Sequence, residues 1–169
     1  MTPNSQEITR VVFIGIGATV VMDLWLLLLR SIKVPTLDFA LLGRWVGHLA
    51  QGTWAHASIA KARPVRNESA IGWSAHYAVG VVFAVLLVAV RGSAWAVHPS
   101  LLPAVAFGVA TVVVPLFVMQ PAMGAGVASS RTPAPARSCL RSVLNHTIFG
   151  VGLYLAAAAI AVISTGVNE

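Results

Sequence analysis

The chain has 169 residues, of which 57% are hydrophobic and 9% charged, with a mean hydropathy of +0.83; soluble domains carry about 25% charged residues, so this composition excludes them and describes a polytopic membrane protein. The net charge of +6 comes from basic residues flanking apolar runs, which is how membrane topology is written, and nucleic acid is excluded as a partner. The single cysteine, Cys139, leaves no internal disulfide framework and no two-thiol relay for quinone-linked thiol oxidation.

In chain order, the first apolar run covers 11–29. It is long for a signal-peptide core, contains Asp23 and lacks a small-residue cleavage site, so it reads as a retained transmembrane helix. In the first connection, "PTLDFALLGRWVGHLAQG" places Phe39, Leu42, Trp45, Val46 and Leu49 at helical spacing, with Arg44, His48 and Gln51 on another stripe. The pattern predicts a short helix over 36–51, started by Pro35 and Thr36, lying in the membrane interface or re-entering the bilayer. "RPVRNE" then links to a second span over 71–90. Arg91, Trp95 and His98, beside Pro99, mark the next connection. A third span covers 101–118, with Pro115 predicted to kink it and Gln120 at its end. "GAGVASSRTPAPARS", 124–138, reads as an irregular loop, and the fourth span covers 143–163. The expected fold class is therefore all-α, a polytopic membrane protein forming a single domain over 1–169, with four spans and one short additional helix. Each span reaches the roughly 18 to 20 residues that cross a ~30 Å hydrocarbon core.

Orientation follows from the cations. Arg30, Lys33, Arg44, Lys61, Arg63 and Arg66 lie in the first connection and Arg131, Arg137 and Arg141 in the third, against only Arg10 and Arg91 elsewhere. The positive-inside rule puts the first and third connections in the cytoplasm and both termini outside it, in a bacterial inner membrane. Trp25, Trp45, Trp54 and Trp73 map to the same cytoplasmic interface, and Trp95 to the outer one. The exposed cations are expected to touch anionic lipid head groups.

A carboxylate inside a span is costly unless it is partnered, so Asp23 asks for a site. At ~1.5 Å per residue it lies about 10 Å inside the cytoplasmic boundary, while His76 and His146 lie roughly 5 to 8 Å deep on helices entering from the same side. Small and polar residues share stripes: Gly15, Thr19 and Asp23; Gly72, His76 and Gly80; His146, Gly150 and Tyr154. The expectation is a shared inward pocket in which Asp23, His76, Gln120 and His146 bind a small solute or ion or relay protons. Tyr77 and Tyr154 would be secondary contacts, with Asp38 and Glu68 as ligands or proton carriers at the mouth and Arg44 as a further binding residue. Asp38 and Glu68 have a local alternative, as acids at helix starts.

A second reading gathers His48, His56, His76, His146 and Asp23 around a transition metal, in an enzyme acting on a lipid or quinone head group. No two of these histidines show the i, i+3 or i, i+4 spacing of a compact metal motif, and there is neither a Gly-x-Ser-x-Gly elbow nor an HExxH pair. "MGAGVASSR", 123–131, offers glycine amides, serines and an arginine to a phosphate but lacks nucleotide-loop spacing. A third reading is a structural or regulatory membrane partner. Four short helices enclose little volume, so a homo-oligomer is expected.

The stretches "GATVVMDLW", "VPTLDFALLGRWVGHL", "IGWSAHYAVG", "VVPLFVMQPAMGAGVASSRTP" and "NHTIFGVGLYL" together resemble the bacterial integral-membrane family known as domain of unknown function 2938. The resemblance runs from about Gly15 to Leu155 and implies a small multi-span membrane protein, with no activity attached.

Overall fold

The structure is a computed structural model describing residues 4–166, with side chains described through Ser164. Five main helices carry the fold: α1 (Ser5–Ser31), α2 (Phe39–Leu49), α3 (Glu68–Arg91), α4 (Leu101–Met123) and α5 (Pro135–Gly166). There is no strand among the described residues. Helices α1, α3, α4 and α5 are each long and apolar enough to cross a membrane.

The spans extend beyond the apolar runs because capping, not hydrophobicity, sets where helices end. α1 starts at Ser5, ahead of the expected 11, because Asn4 and Glu7 form a reciprocal capping box (Glu7 N–H to Asn4 Oδ1, 2.8 Å; Asn4 N–H to Glu7 Oε2, 3.1 Å). α5 starts with Pro135 at its first position, where a missing N–H costs nothing, and so takes over the end of the segment expected to be loop. The start of α2 is also corrected: Asp38, not Pro35 or Thr36, caps it, accepting the Ala40 N–H at 2.9 Å.

Pro115 has the consequence its chemistry demands. α4 is regular over Leu101–Ala110, loosens over 111–114 and passes through a π turn at Pro115–Met119. The Thr111 carbonyl, left without the N–H that Pro115 lacks, accepts from Val114 at 3.0 Å instead of opening to a cavity.

The four spans are arranged as a row, not a closed ring. α1 packs against both α3 and α5, α5 packs against α4, and the outer members α3 and α4 share no comparable interface. Close approaches at glycine set these contacts: a Cβ on Gly15 would stand 2.5 Å from Val81 Cα, and one on Gly108 would stand 2.6 Å from Gly150 Cα. α2 runs antiparallel along the first turns of α3, with Phe39 beside Trp73 and His76, Gly43 against Glu68 and Gly72, and Gly47 against Val65.

The row has a basic end and an opposite end. At the basic end the first connection meets the last turn of α4, through His56 N–H to the Ala122 carbonyl (2.8 Å), and the first turns of α5, through the Arg141 guanidinium to the Pro35 carbonyl (3.1 Å). At the opposite end Arg10 of α1 reaches Ser164 of α5 at 3.2 Å, so the first and last spans begin and finish together. An apolar core of Ile14, Ala18, Leu87, Trp95, Phe149 and Leu153 occupies the half of the row nearer that end. Polar side chains collect in the other half.

Candidate functional site

α1 and α3 touch backbone to backbone where Gly15 meets Gly80 and Val81, and Gly80 also leaves room for the Thr19 side chain, whose buried hydroxyl is turned onto its own helix at the Gly15 carbonyl (2.8 Å). One turn further along, the same stripes bring Asp23 to His76. Asp23 Oδ1 lies 2.9 Å from His76 Nε2, and Oδ2 accepts the Tyr77 hydroxyl at 2.8 Å. The two paired side chains are only 14% and 10% exposed, so both are largely withdrawn from their surroundings but not sealed. Phe39, the first residue of α2, lies against the imidazole with ring centres 4.4 Å apart, and Trp73 approaches it edge-on at 5.9 Å.

This geometry fixes the tautomer. An ionised carboxylate only accepts, so His76 Nε2 carries the hydrogen and, in the neutral ring, Nδ1 is a bare acceptor. Among the described residues Nδ1 has no hydrogen-bond partner. The arrangement can therefore take up a proton at Nδ1, with Asp23 compensating the imidazolium charge that results.

The remaining candidates do not join this cluster. His146 Nδ1 stands 2.7 Å from the Thr111 hydroxyl, which itself donates to the Gly108 carbonyl at 2.6 Å; the histidine must donate from Nδ1, and the pair joins α5 to α4. Gln120 accepts from Ser129 (2.7 Å) and donates to Ser142 (3.3 Å), holding the third connection against α5. Tyr154 packs on the apolar core. The hydrogen bonds among the described residues form a belt of pairwise links in the basic half, and none of them ties His146, Gln120 or Tyr154 to Asp23. His76 and Asp23 join α3 to α1, Asn145 accepts from the Trp25 indole (3.0 Å) to join α5 to α1, and His146 with Thr111 joins α5 to α4. Sequence reasoning missed Asn145 and Thr111, and read Ser129 as a phosphate contact where it bonds Gln120. Asn145, a lone amide beside His146 in an apolar run, carried a signal; Thr111 did not.

In the first connection, Arg44 makes a two-pronged ion pair with Glu68 (2.9 and 2.8 Å) and donates to the carbonyls of Ile59, Ala60 and Ala62 at 3.1 to 3.3 Å. That hydrogen bond to Glu68 raises the guanidinium further above its ordinary value. Arg44 therefore fastens α2 and residues 59–62 to α3, and the Asp38 carboxylate is used as the α2 cap. His48 Nδ1 meets His56 Nε2 at 2.7 Å, while His48 Nε2 faces the Arg63 carbonyl at 2.9 Å and must donate to it. In the neutral pair His56 Nε2 then donates to His48, and His56 Nδ1 is left buried without a partner.

The five residues expected to share a metal fall into three places, His48 with His56, Asp23 with His76, and His146 with Thr111. No group of three potential metal ligands occurs among the described residues. In 123–131 several amides are engaged by nearby carbonyls, including Ala125 to Gln120 (2.8 Å) and Arg131 to Ala125 (2.9 Å), so they do not converge on a phosphate.

Compared with known proteins, residues 12–160 match the family described as "Protein of unknown function (DUF2938)", and the chain belongs to that family. No curated protein and no solved structure matches it.

Proposed function

We propose that this member of the DUF2938 family is a proton-linked carrier of a small solute or ion, with Asp23, His76 and Tyr77 as its proton-handling site. One observation carries the reading. Within a helix long and apolar enough to cross a membrane, an ionisable carboxylate holds a histidine whose second ring nitrogen has no partner among the described residues. Ionisable residues at such depth are expensive and mark ion or proton paths more often than they serve stability alone. Asp23 keeps the ring oriented, and His76 Nδ1 is the atom that would exchange a proton with a passing solute or with water. Tyr77, donating to the other carboxylate oxygen, holds Asp23 toward the ring.

In this reading the protein lies in the bacterial inner membrane with its basic end in the cytoplasm, as the distribution of Lys and Arg requires. The site then opens toward the cytoplasmic half, and the exposed cations there lie against anionic head groups. A row of four helices with largely exposed flanks is completed by further copies of the chain, so the carrier is a homo-oligomer.

Flux into proteoliposomes tests the assignment, across a panel of inorganic cations, weak acids and amines, with and without an imposed pH gradient. Gradient-driven uptake of one of these is expected, with Asp23→Asn and His76→Gln each reducing it at least tenfold while the protein still folds. No gradient-dependent flux for any solute removes the proposal. Stoichiometric iron, zinc or copper in the purified protein, lost on His76→Ala, would favour a metal-dependent enzyme acting on a lipid or quinone head group.

A further inference from the structure

At the opposite end of the row, far from Asp23, the first turns of α1 and the last turns of α5 leave a crevice of about 530 Å³ between them. Its rim carries Thr9, Arg10 and Ser164, and its wall carries Phe13, Ile160 and Ile163. Phe13 and Ile163 are 56% and 65% exposed, so this wall is left largely uncovered among the described residues.

Arg10 is the unusual feature. Its guanidinium donates to Ser164 Oγ at 3.2 Å and to the Ala96 carbonyl at 3.4 Å, both neutral acceptors and both at long range. No carboxylate pairs with it among the described residues, because Glu7, one turn earlier, is engaged in the cap of α1. That cap also occupies helix-end amides, so the arginine itself is the anion-attracting element here. Arg10 stands immediately before the apolar run that begins at Val11, which is the level of lipid phosphates, and a planar guanidinium with unused N–H donors matches a phosphodiester in two-pronged geometry. Below it the apolar wall continues along the membrane direction, as an acyl chain does.

We propose that this crevice is a binding site for one phospholipid with a net negative head group, its phosphate on Arg10 and its acyl chain along Phe13, Ile160 and Ile163. A single cation with no carboxylate partner among the described residues favours a singly anionic head group over a zwitterionic one, whose own ammonium would meet the guanidinium. The site is separate from the cations of the basic end and independent of the proton-handling site.

Native mass spectrometry of protein released from nanodiscs of equal phosphatidylglycerol and phosphatidylcholine tests it. The wild-type chain is expected to retain phosphatidylglycerol in preference. Arg10→Gln should retain one phosphatidylglycerol fewer per chain, as should Thr9→Trp, which fills the crevice and leaves the charge in place. Arg91→Gln should retain the wild-type number, and circular dichroism should show all variants equally helical. An unchanged count in both crevice variants overturns the site and assigns the crevice to solvent or to the chain's own residues. Equal retention of phosphatidylcholine overturns the head-group assignment, and displacement of the lipid by millimolar glycerol phosphate would show that a free phosphate ester is the true ligand.

Discussion

Asp23 accepts a hydrogen bond on each carboxylate oxygen, and the two donors are not equivalent. Tyr77 contributes an ordinary hydrogen bond, of about 1 kcal/mol. His76 is the only imidazole within reach of the carboxylate, and removing it leaves a membrane-embedded anion with a single donor. Reversible unfolding in mixed micelles should therefore show Tyr77→Phe destabilised by about 1 kcal/mol and His76→Leu by about 2 to 3 kcal/mol. The triple variant Asp23→Leu, His76→Leu and Tyr77→Phe should recover most of that loss, because all three members of the hydrogen-bonded cluster are then apolar and none is left unpartnered. Equal losses for the two single variants would mean that the histidine is a bystander. The depth of Asp23 and the stripe it shares with Gly15 and Thr19 were legible in the sequence, because they follow from helical periodicity alone. Which of two histidines it meets was not: His76 and His146 lie at similar depth, and only the order of the helices separates them.

Among the elements, α2 is the one whose packing partner was least readable. Its amphipathic pattern was readable, yet the helix is pressed lengthwise onto α3, with Gly43 and Gly72 in backbone contact and Arg44 holding Glu68. A Cβ at Gly43 would fall on the Glu68 carbonyl, which is backbone and cannot move aside. Gly43→Ala is therefore expected to lower stability by about 3 kcal/mol or more and to loosen Phe39 from the His76 ring, whereas Gly52→Ala, with open space around it, should cost only the backbone strain of its φ of +80°, about 1 to 2 kcal/mol. Thermal unfolding compares the two variants directly. Arg44 was expected to be a topology signal and a candidate binding residue. The structure makes it the fastener of the first connection, because its fork finds one carboxylate and three carbonyls that no sequence pattern places together.

For the whole molecule, the row α3, α1, α5, α4 gives each adjacent pair of spans at least one polar contact in the basic half and an apolar core in the other. Topology is testable at this scale. With Cys139 replaced by serine, a cysteine introduced at Ser5 should react with an impermeant maleimide added to intact cells, and one at Gly52 should react only after lysis; the reverse pattern would invert the orientation and move the Asp23 site to the outer leaflet. Four spans, their charge bias and the presence of an ionisable group in the first were determined by the sequence by itself, since length, hydropathy and charge act locally along each helix. The partners of Asp23, Gln120, Arg44 and His146, and the open row that separates α3 from α4, were decided by the tertiary structure. The physical reason is that several polar side chains at one depth make many pairings chemically equivalent, and only the glycine contacts that set which helices touch select among them.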